Sequence, residues 1–453
     1  MMERSAPLPV HFDRPIGPYF ADTAAALAAS GLLSASRIRT LRLFGPPADI
    51  LEVLNHLRSP SPLESLTLCI TSAEELVNIP ETLCARATPH LRRLTFGTDA
   101  CIRAPLWLLA GVTHFTTSAT TSMHGLLGTL QAMPQLEELC ITRNFDDFWP
   151  EQLPLARVAL PRLSLLTVRE NSPHFFVALS AYIDDAPPTT LRRHLFWPVF
   201  LLHGWEPNIF TAALDLVPRD SALGTDDGGL RAAQVTGGPE RGSFEVWSRT
   251  TRTARAARSD ALFLFRLDWQ HDLIFAHGAS GPPDELCPFF HLASLCAHLQ
   301  TTRVEDLTVA PSSAARTASE ECMRPKVVAQ WRALLAALPA VKILRMHGSC
   351  PAGTSVLRVL TEFPELLPHL RKVFVARSTV LCAGGVAGTS ASSTMVINKN
   401  MGPELMEAMS VRSGLEVVLV GCEVDEEALE ALRERARVEF GNEWEYMQSV
   451  SLE

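Results

Sequence analysis

The chain has 453 residues, 47% of them hydrophobic and 20% charged, so it is long and apolar enough to bury a large core. Its formal net charge of −9 argues against a nucleic-acid partner, because a nucleic-acid surface needs clustered Lys and Arg side chains. Its ten cysteines lack C-x-x-C pairs, which argues against a zinc site and a disulfide framework. No segment reaches the roughly eighteen apolar residues of a membrane helix, which argues against a membrane span.

The first 37 residues predict an N-terminal extension followed by a capping helix. Residues 1–20 are rich in proline and predict no regular structure, whereas residues 21–34 predict a short helix. Residues 1–14 hold prolines and charges where a secretory signal needs an apolar core. We therefore expect a cytoplasmic or nuclear protein.

Between residues 38 and 190 a leucine-rich pattern recurs every 21 to 28 residues. Two copies read L-x-x-L-x-L-x-x-N in full and end at Asn144 and Asn171. This is the core of a leucine-rich repeat, in which the apolar positions of a short strand point inward and the asparagine bonds backbone groups at the turn. Helical spacing of apolar residues predicts helices over residues 50–57, 73–85 and 125–132. Six units start at Ile38, Leu63, Leu91, Val112, Leu136 and Leu163.

Residues 191–300 interrupt this rhythm. Glycines at 237, 238 and 242 predict a hairpin within residues 230–250, and residues 261–269 predict a further strand. We interpret the segment as irregular repeats with a hairpin insertion, and an inserted subdomain is the alternative. Its aromatic residues either fill a wide turn or form a binding hot spot. The tryptophans concerned are Trp197, Trp205, Trp247 and Trp269.

The leucine-rich pattern returns between residues 301 and 453. Its last unit places Leu415, Val418 and Val420 at the inward positions. Helices are predicted over residues 331–338, 404–409 and 425–437, and a closing strand over residues 438–444. The whole chain thus predicts an α/β fold: an irregular leucine-rich-repeat solenoid (horseshoe), with parallel strands on the concave face and helices on the convex face. The four units of this part start at Val304, Val341, Leu370 and Leu415.

Several segments, in their order and spacing, resemble the leucine-rich-repeat region of the large fungal (basidiomycete) F-box-like protein family. They are residues 62–68 (PLESLTL), 88–94 (TPHLRRL), 105–113 (PLWLLAGVT), 133–139 (MPQLEEL), 160–163 (LPRL), 421–424 (GCEV) and 438–444 (VEFGNEW). The resemblance covers roughly residues 38–190 and 300–445.

Members of that family are similar to substrate-recognition subunits of cullin-type (SCF) ubiquitin ligases. The resemblance implies that an N-terminal F-box would bind the ligase adaptor while the repeats hold the target. An F-box begins with a Leu-Pro-containing helix and ends near a tryptophan, whereas residues 1–37 hold only one Pro-Leu-Pro segment and no tryptophan. We therefore expect the F-box of such a receptor to be missing or truncated here.

Two segments hold residue types that occur in catalytic or phosphate-binding sites. The glycine-rich residues 384–393 lack the Gly-Lys-Ser/Thr of a phosphate-binding loop and predict a surface loop. His271 and Asp272 are adjacent in an extended segment, so their side chains are expected to point to opposite sides. The sequence thus predicts a protein that is not an enzyme and has no cofactor, no metal and no catalytic residue.

The function that the sequence favours is a non-enzymatic protein–protein interaction scaffold, a monomer that binds an unidentified protein on the concave face of the repeats. The alternative is the substrate-recognition subunit of an SCF ubiquitin ligase. Residues beside the inward positions of each strand face outward and are the candidate partner-binding residues. They are Arg93, Thr95, Cys140, Thr142, Thr167, Arg169, Arg345, His347, Lys372 and Phe374.

Overall fold

A computed structural model describes most of the predicted strands and helices. The described residues are 10–15, 38–56, 63–70, 77–79, 90–97, 102–104, 106–118, 123–142, 157–169, 173–185, 192–198, 230–237, 241–248, 263–270, 292–299, 301–310, 325–347, 351–382 and 400–442. The chain divides into two compact units, Met1–Phe196 with Asn208–Leu216, and Trp197–Pro207 with Val217–Glu453.

The first unit is built on parallel strands. Its strands are β1 (Val10–Pro15), β2 (Ile38–Gly45), β3 (Ser65–Ile70), β4 (Val77–Asn78), β5 (Arg93–Phe96), β6 (Ile102–Arg103), β7 (His114–Thr117), β8 (Glu138–Thr142), β9 (Val158–Leu160), β10 (Leu165–Arg169), β11 (Ile183–Asp185) and β12 (Arg192–Pro198), which begins in this unit. The main sheet runs β1-β2-β3-β5-β7-β8-β10-β12, and β4–β6 and β9–β11 form two small parallel pairs. The helices are α1 (Pro47–His56), α2 (Leu106–Leu109), α3 (Met123–Gln131) and α4 (Pro173–Tyr182).

The inward positions predicted for the first unit are confirmed. Leu66, Leu94 and Leu139 lie in one row across the sheet, where each is paired in register with another apolar residue. Each of the three is at most 1% exposed. Burying each such side chain contributes about 1.5–3 kcal/mol relative to leaving it in water. Phe115, which lies in the same row, meets Phe96 edge to face with the ring centroids 5.6 Å apart.

Two predictions for the first unit are wrong. Residues 1–20 were expected to lack regular structure, but Val10–Pro15 forms β1 and pairs in parallel with β2. The predicted helix over residues 73–85 is interrupted by β4, which pairs with β6. In both cases backbone pairing with a distant strand outweighs local sequence preference. The predicted helix over residues 21–34, Asn144 and Asn171 lie outside the described residues.

The second unit mixes antiparallel and parallel strands. Its strands are β13 (Ala232–Gly237), β14 (Arg241–Trp247), β15 (Phe263–Gln270), β16 (Asp306–Ala310), β17 (Ile343–His347), β18 (Lys372–Ala376), β19 (Thr379–Val380), β20 (Glu416–Val420), β21 (Glu423–Val424) and β22 (Arg437–Phe440). The sheet runs β15-β14-β13-β16-β17-β18-β20-β22, with β13–β14–β15 antiparallel and the following strands parallel. The predicted hairpin is confirmed by the β13–β14 pairing, which ends at Gly237 opposite Gly242.

The helices of the second unit follow its strands in chain order. They are α5 (Leu292–His298), a 3-10 turn (Thr301–Arg303), α6 (Pro325–Ala336), α7 (Pro351–Glu362), α8 (Gly402–Val411) and α9 (Glu426–Arg433). Each of these α-helices packs against the next one along the chain. α9 begins as predicted, because the Asp425 carboxylate accepts a hydrogen bond of 2.7 Å from the Ala428 backbone N–H.

The inward positions predicted for the last repeat are wrong by one residue. Val417 and Leu419, not Val418 and Val420, lie in register with the inward positions of β18. After Glu416, the four residues of β20 are all apolar and buried, so the repeat pattern could be aligned with either alternating pair of them. A shift of one residue in a strand exchanges its two faces.

The predicted α/β class is therefore confirmed, with a large and mostly parallel set of strands and helices in their connections. None of the helices described is both long and apolar enough to traverse a bilayer.

Candidate protein-binding face

The outward face of each unit consists of the strand residues that alternate with the buried leucines and valines. In the first unit one row of this face is rich in threonine, and we call it the threonine row. Its members, in register across β2 to β12, are Arg42, Thr67, Thr95, Thr116, Cys140, Thr167 and His194. Three of the candidate residues, Thr95, Cys140 and Thr167, thus lie on one line across the sheet.

A second row of the first unit carries charges, and we call it the charged row. It runs through Ser65, Arg93, His114, Glu138, Leu165 and Arg192. The His114 ring nitrogen Nε2 lies 3.6 Å from the Glu138 carboxylate, and its Nδ1 lies 2.8 Å from the Thr113 hydroxyl. The candidate Arg93 is exposed beside His114.

The two remaining candidates of the first unit lie together toward the ends of the strands. Thr142 is the register partner of Arg169, and its hydroxyl donates to the Thr117 carbonyl at 3.4 Å. The Arg169 guanidinium carbon lies 4.7 Å from the centre of the Phe196 ring. This distance is that of a cation–π contact.

Three of the four candidates of the second unit, Arg345, Lys372 and Phe374, meet at the aromatic ring of Phe374. The Arg345 guanidinium carbon lies 4.5 Å, and the Lys372 Nζ 5.1 Å, from the centre of the Phe374 ring. Arg345 also donates from Nε to both Asp306 carboxylate oxygens, at 3.0 and 3.1 Å. Lys372 forms an ion pair with Glu416. We call these five residues the Arg345 cluster.

The side chains of the Arg345 cluster are only partly exposed to water, and its charged groups are paired. The side chains of Arg345 and Asp306 are 15% and 21% exposed, so water weakens their attraction less than it would at an open surface. The hydrogen bond from Lys372 is the main cause that lowers the pKa of the Glu416 carboxyl. Phe374 packs on a small apolar group formed by Ala376, Val418 and Val420. The cluster therefore presents an aromatic ring and two oriented cations on one face.

The last candidate, His347, is more enclosed than the sequence suggested. It is 6% exposed and lies in register with Ala376. Thr167 is likewise 6% exposed, so these two candidates offer a partner little surface. The remaining candidates are half-buried or exposed.

The thiols of the outward face are not activated. Burial is the main cause that raises the pKa of Cys140, and the nearby Glu138 adds to it while Arg169 opposes it. Burial likewise raises the pKa of Cys69. A thiol with a raised pKa is largely uncharged near neutral pH and is a poor nucleophile.

Sequence reasoning missed several residues of this face. Thr116, His114 and Phe196 all lie in the rows that hold the candidates. The same rule, taking the residues beside an inward position, would have selected His114 and Thr116 on either side of Phe115. The β12 strand had no leucine-rich pattern from which Phe196 could be read.

The tryptophans of the central segment and the two segments considered for chemistry are only partly described by the structure. Trp247 is 4% exposed, which favours its role as interior filling over a binding hot spot. Trp205, His271, Asp272 and residues 384–393 lie outside the described residues, and so do the side chains of Trp197 and Trp269. In the part of the chain that the structure describes, no three His, Cys, Asp or Glu side chains come together as a metal site would require. Compared with known proteins, the chain matches no family model and no curated protein.

Proposed function

We propose that this protein is a non-enzymatic scaffold, a leucine-rich-repeat solenoid that binds a protein partner on the outward face of its strands. The observation that carries the proposal is the Arg345 cluster. Arginine and aromatic side chains supply most of the binding energy at protein interfaces when a partner excludes water around them. In this cluster Arg345 and Phe374 are already held in contact, so binding costs little side-chain entropy.

The repetition of the outward face supports the same function. Each strand of the parallel part pairs with its neighbours in the sheet, and each helix of the second unit packs on the next. An array in which each repeat contacts its neighbours offers an extended surface with one set of side chains per repeat. The threonine and charged rows give that surface hydroxyl groups and both signs of charge.

The proposal is tested by capture of a partner with the purified, tagged full chain. Arg345→Ala combined with Phe374→Ala should reduce capture at least about 30-fold, since truncation of a hot-spot residue costs about 2 kcal/mol or more. Arg358→Ala is the matched control, because Arg358 is an exposed helical arginine paired with Glu362. Circular dichroism must show that every variant is folded.

Two results decide the test. Capture by wild type and by the Arg358→Ala control, with loss in the double variant and cross-links that map to the outward rows, supports the proposal. Undiminished capture by the double variant, or cross-links confined to the helices, contradicts it.

The receptor alternative makes a different prediction. Direct binding of the purified chain to a cullin-ligase adaptor is expected of an SCF receptor, and it is not expected of a scaffold that binds its partner only on the outward face of its strands. A pull-down between the two purified proteins distinguishes these functions. Robust binding would favour the receptor.

A further inference from the structure

The last strand of the second unit, β22, has one edge that pairs with β20. The Arg437 backbone N–H donates to the Leu415 carbonyl at 3.1 Å, and the Gly441 N–H donates to the Leu419 carbonyl at 2.9 Å. Alternate residues of a strand direct their backbone groups to opposite edges. The backbone groups of Val438 and Phe440 therefore point to the other edge, where no strand pairs with β22 among the described residues.

Two of the four residues of β22, Arg437 and Phe440, are exposed. Phe440 lies in register with the buried Leu419 but is itself 63% exposed, because no strand of the described residues continues the sheet beyond β22. The side chains of Arg437 and Glu439 are 76% and 40% exposed, and they form an ion pair of 2.7 Å along the same strand. An edge strand with open backbone groups and an exposed aromatic ring is a template for pairing with another strand.

We propose that a second copy of this chain covers the edge, by antiparallel pairing of the two β22 strands about a twofold axis at Val438. In this register the two Val438 residues exchange backbone hydrogen bonds, since both present their N–H and carbonyl groups to the open edge. Arg437 of each copy then lies opposite Glu439 of the other. The strand is thus complementary in charge to itself.

Neighbouring registers are poorer. Centring the axis on Phe440 places Glu439 opposite Gly441 and removes the opposition between Arg437 and Glu439. Centring it on Ala436 places Arg437 opposite Arg435, two like charges. The Ala436 N–H donates to the Leu432 carbonyl at 2.8 Å, so it adds no hydrogen bond to the partner strand in any of these registers.

The small area of this strand pairing predicts a weak dimer. Four residues of one edge bury far less than the roughly 1,000 Å² that a stable interface needs. We expect a dimer that forms as the concentration rises and separates on dilution, in place of the monomer that the sequence suggested.

The test is sedimentation velocity of the full chain over a wide range of concentrations. Val438→Pro removes an N–H that faces the open edge and takes no part in the β20 pairing, so it should abolish the dimer without breaking the sheet. Arg437→Glu places two carboxylates opposite each other twice and should weaken the dimer at least tenfold. Arg437→Glu combined with Glu439→Arg restores both oppositions and should restore the dimer.

Arg162→Glu is the matched control, because Arg162 is an exposed turn residue of the first unit and undergoes the same charge change. Thermal unfolding followed by circular dichroism shows that each variant is folded. Loss of the dimer in Val438→Pro and Arg437→Glu, with restoration in the double exchange, supports the proposal. A wild type that stays monomeric at every concentration, or a dimer that survives both single substitutions, overturns it.

Discussion

Asn400 offers a quantitative test of how the second unit is held together. Its side-chain oxygen accepts hydrogen bonds from the backbone N–H groups of Leu381, at 2.8 Å, and Gly402, at 2.9 Å. Its side-chain N–H donates to the Leu381 carbonyl at 2.9 Å. One amide therefore joins the segment that follows β19 to the start of α8.

Replacement of Asn400 by alanine removes all three bonds. A hydrogen bond contributes about 0.5–1.5 kcal/mol net, so we expect the free energy of unfolding to fall by about 2–4 kcal/mol. For a unit of this size, 1 kcal/mol corresponds to about 2–4 °C, so the melting temperature should fall by about 5–15 °C. Asn400→Asp keeps the two accepted bonds and loses the donated one, so its melting temperature should lie between those of wild type and Asn400→Ala.

The assay is thermal unfolding of the full chain followed by circular dichroism, with urea unfolding as a second measurement. Asn55→Ala is the control, because Asn55 is exposed on α1 and alanine favours a helix. A melting temperature of Asn400→Ala within about 2 °C of wild type would refute the reasoning, because the bonds would then contribute almost nothing.

Three further predictions concern individual side chains. Gly402→Ala should destabilise the chain by more than about 2 kcal/mol, because the added Cβ would lie 2.2 Å from a backbone carbonyl oxygen. Gly128→Ala has open space around its Cβ and should stabilise α3 by about 0.5–1 kcal/mol. Melting temperatures of the two variants check both predictions. The hydrogen bond from Lys372 lowers the pKa of the Glu416 carboxyl in the folded chain, so the ionised carboxylate stabilises the fold above its ordinary pKa of 4.5. This stabilisation is lost as the pH falls below that value. Urea unfolding should therefore show a smaller loss of stability on acidification for Glu416→Gln than for wild type. Burial raises the pKa of Cys296 to about 12, so iodoacetamide at about pH 8 should leave this thiol unmodified in the folded chain and modify it in urea, as mass spectrometry would show; labelling in the folded chain would contradict its burial.

Where apolar and polar residues alternate strictly along a strand, the sequence was sufficient to assign its inward and outward residues. Leu94 and Leu139 were assigned inward from the repeat pattern and are each 1% exposed. The outward assignment of Thr95 and Cys140 followed, because side chains alternate along a strand. The parallel pairing of β5, β7 and β8 then brings these two residues into one row.

Where both faces of a strand are apolar, the sequence was not sufficient. The segment 415–420 reads LEVVLV, so beyond Glu416 at the start of the strand both sets of alternate residues are apolar. The Glu416 N–H donates to the Arg371 carbonyl, and this pairing assigns Val417 and Leu419 to the inward row. Hydrogen bonds to another strand decide the register there, and no local pattern encodes them.

The candidate site divides in the same way. The sequence alone determined that Arg345, Lys372 and Phe374 lie on the outward face, because each is beside an apolar position of its repeat. Only the tertiary structure decided that both cations meet the one ring and that an acidic partner holds each cation in place. Alternation along a strand specifies a face, whereas distances between side chains of different strands depend on how the strands pair and on the rotamers that packing allows.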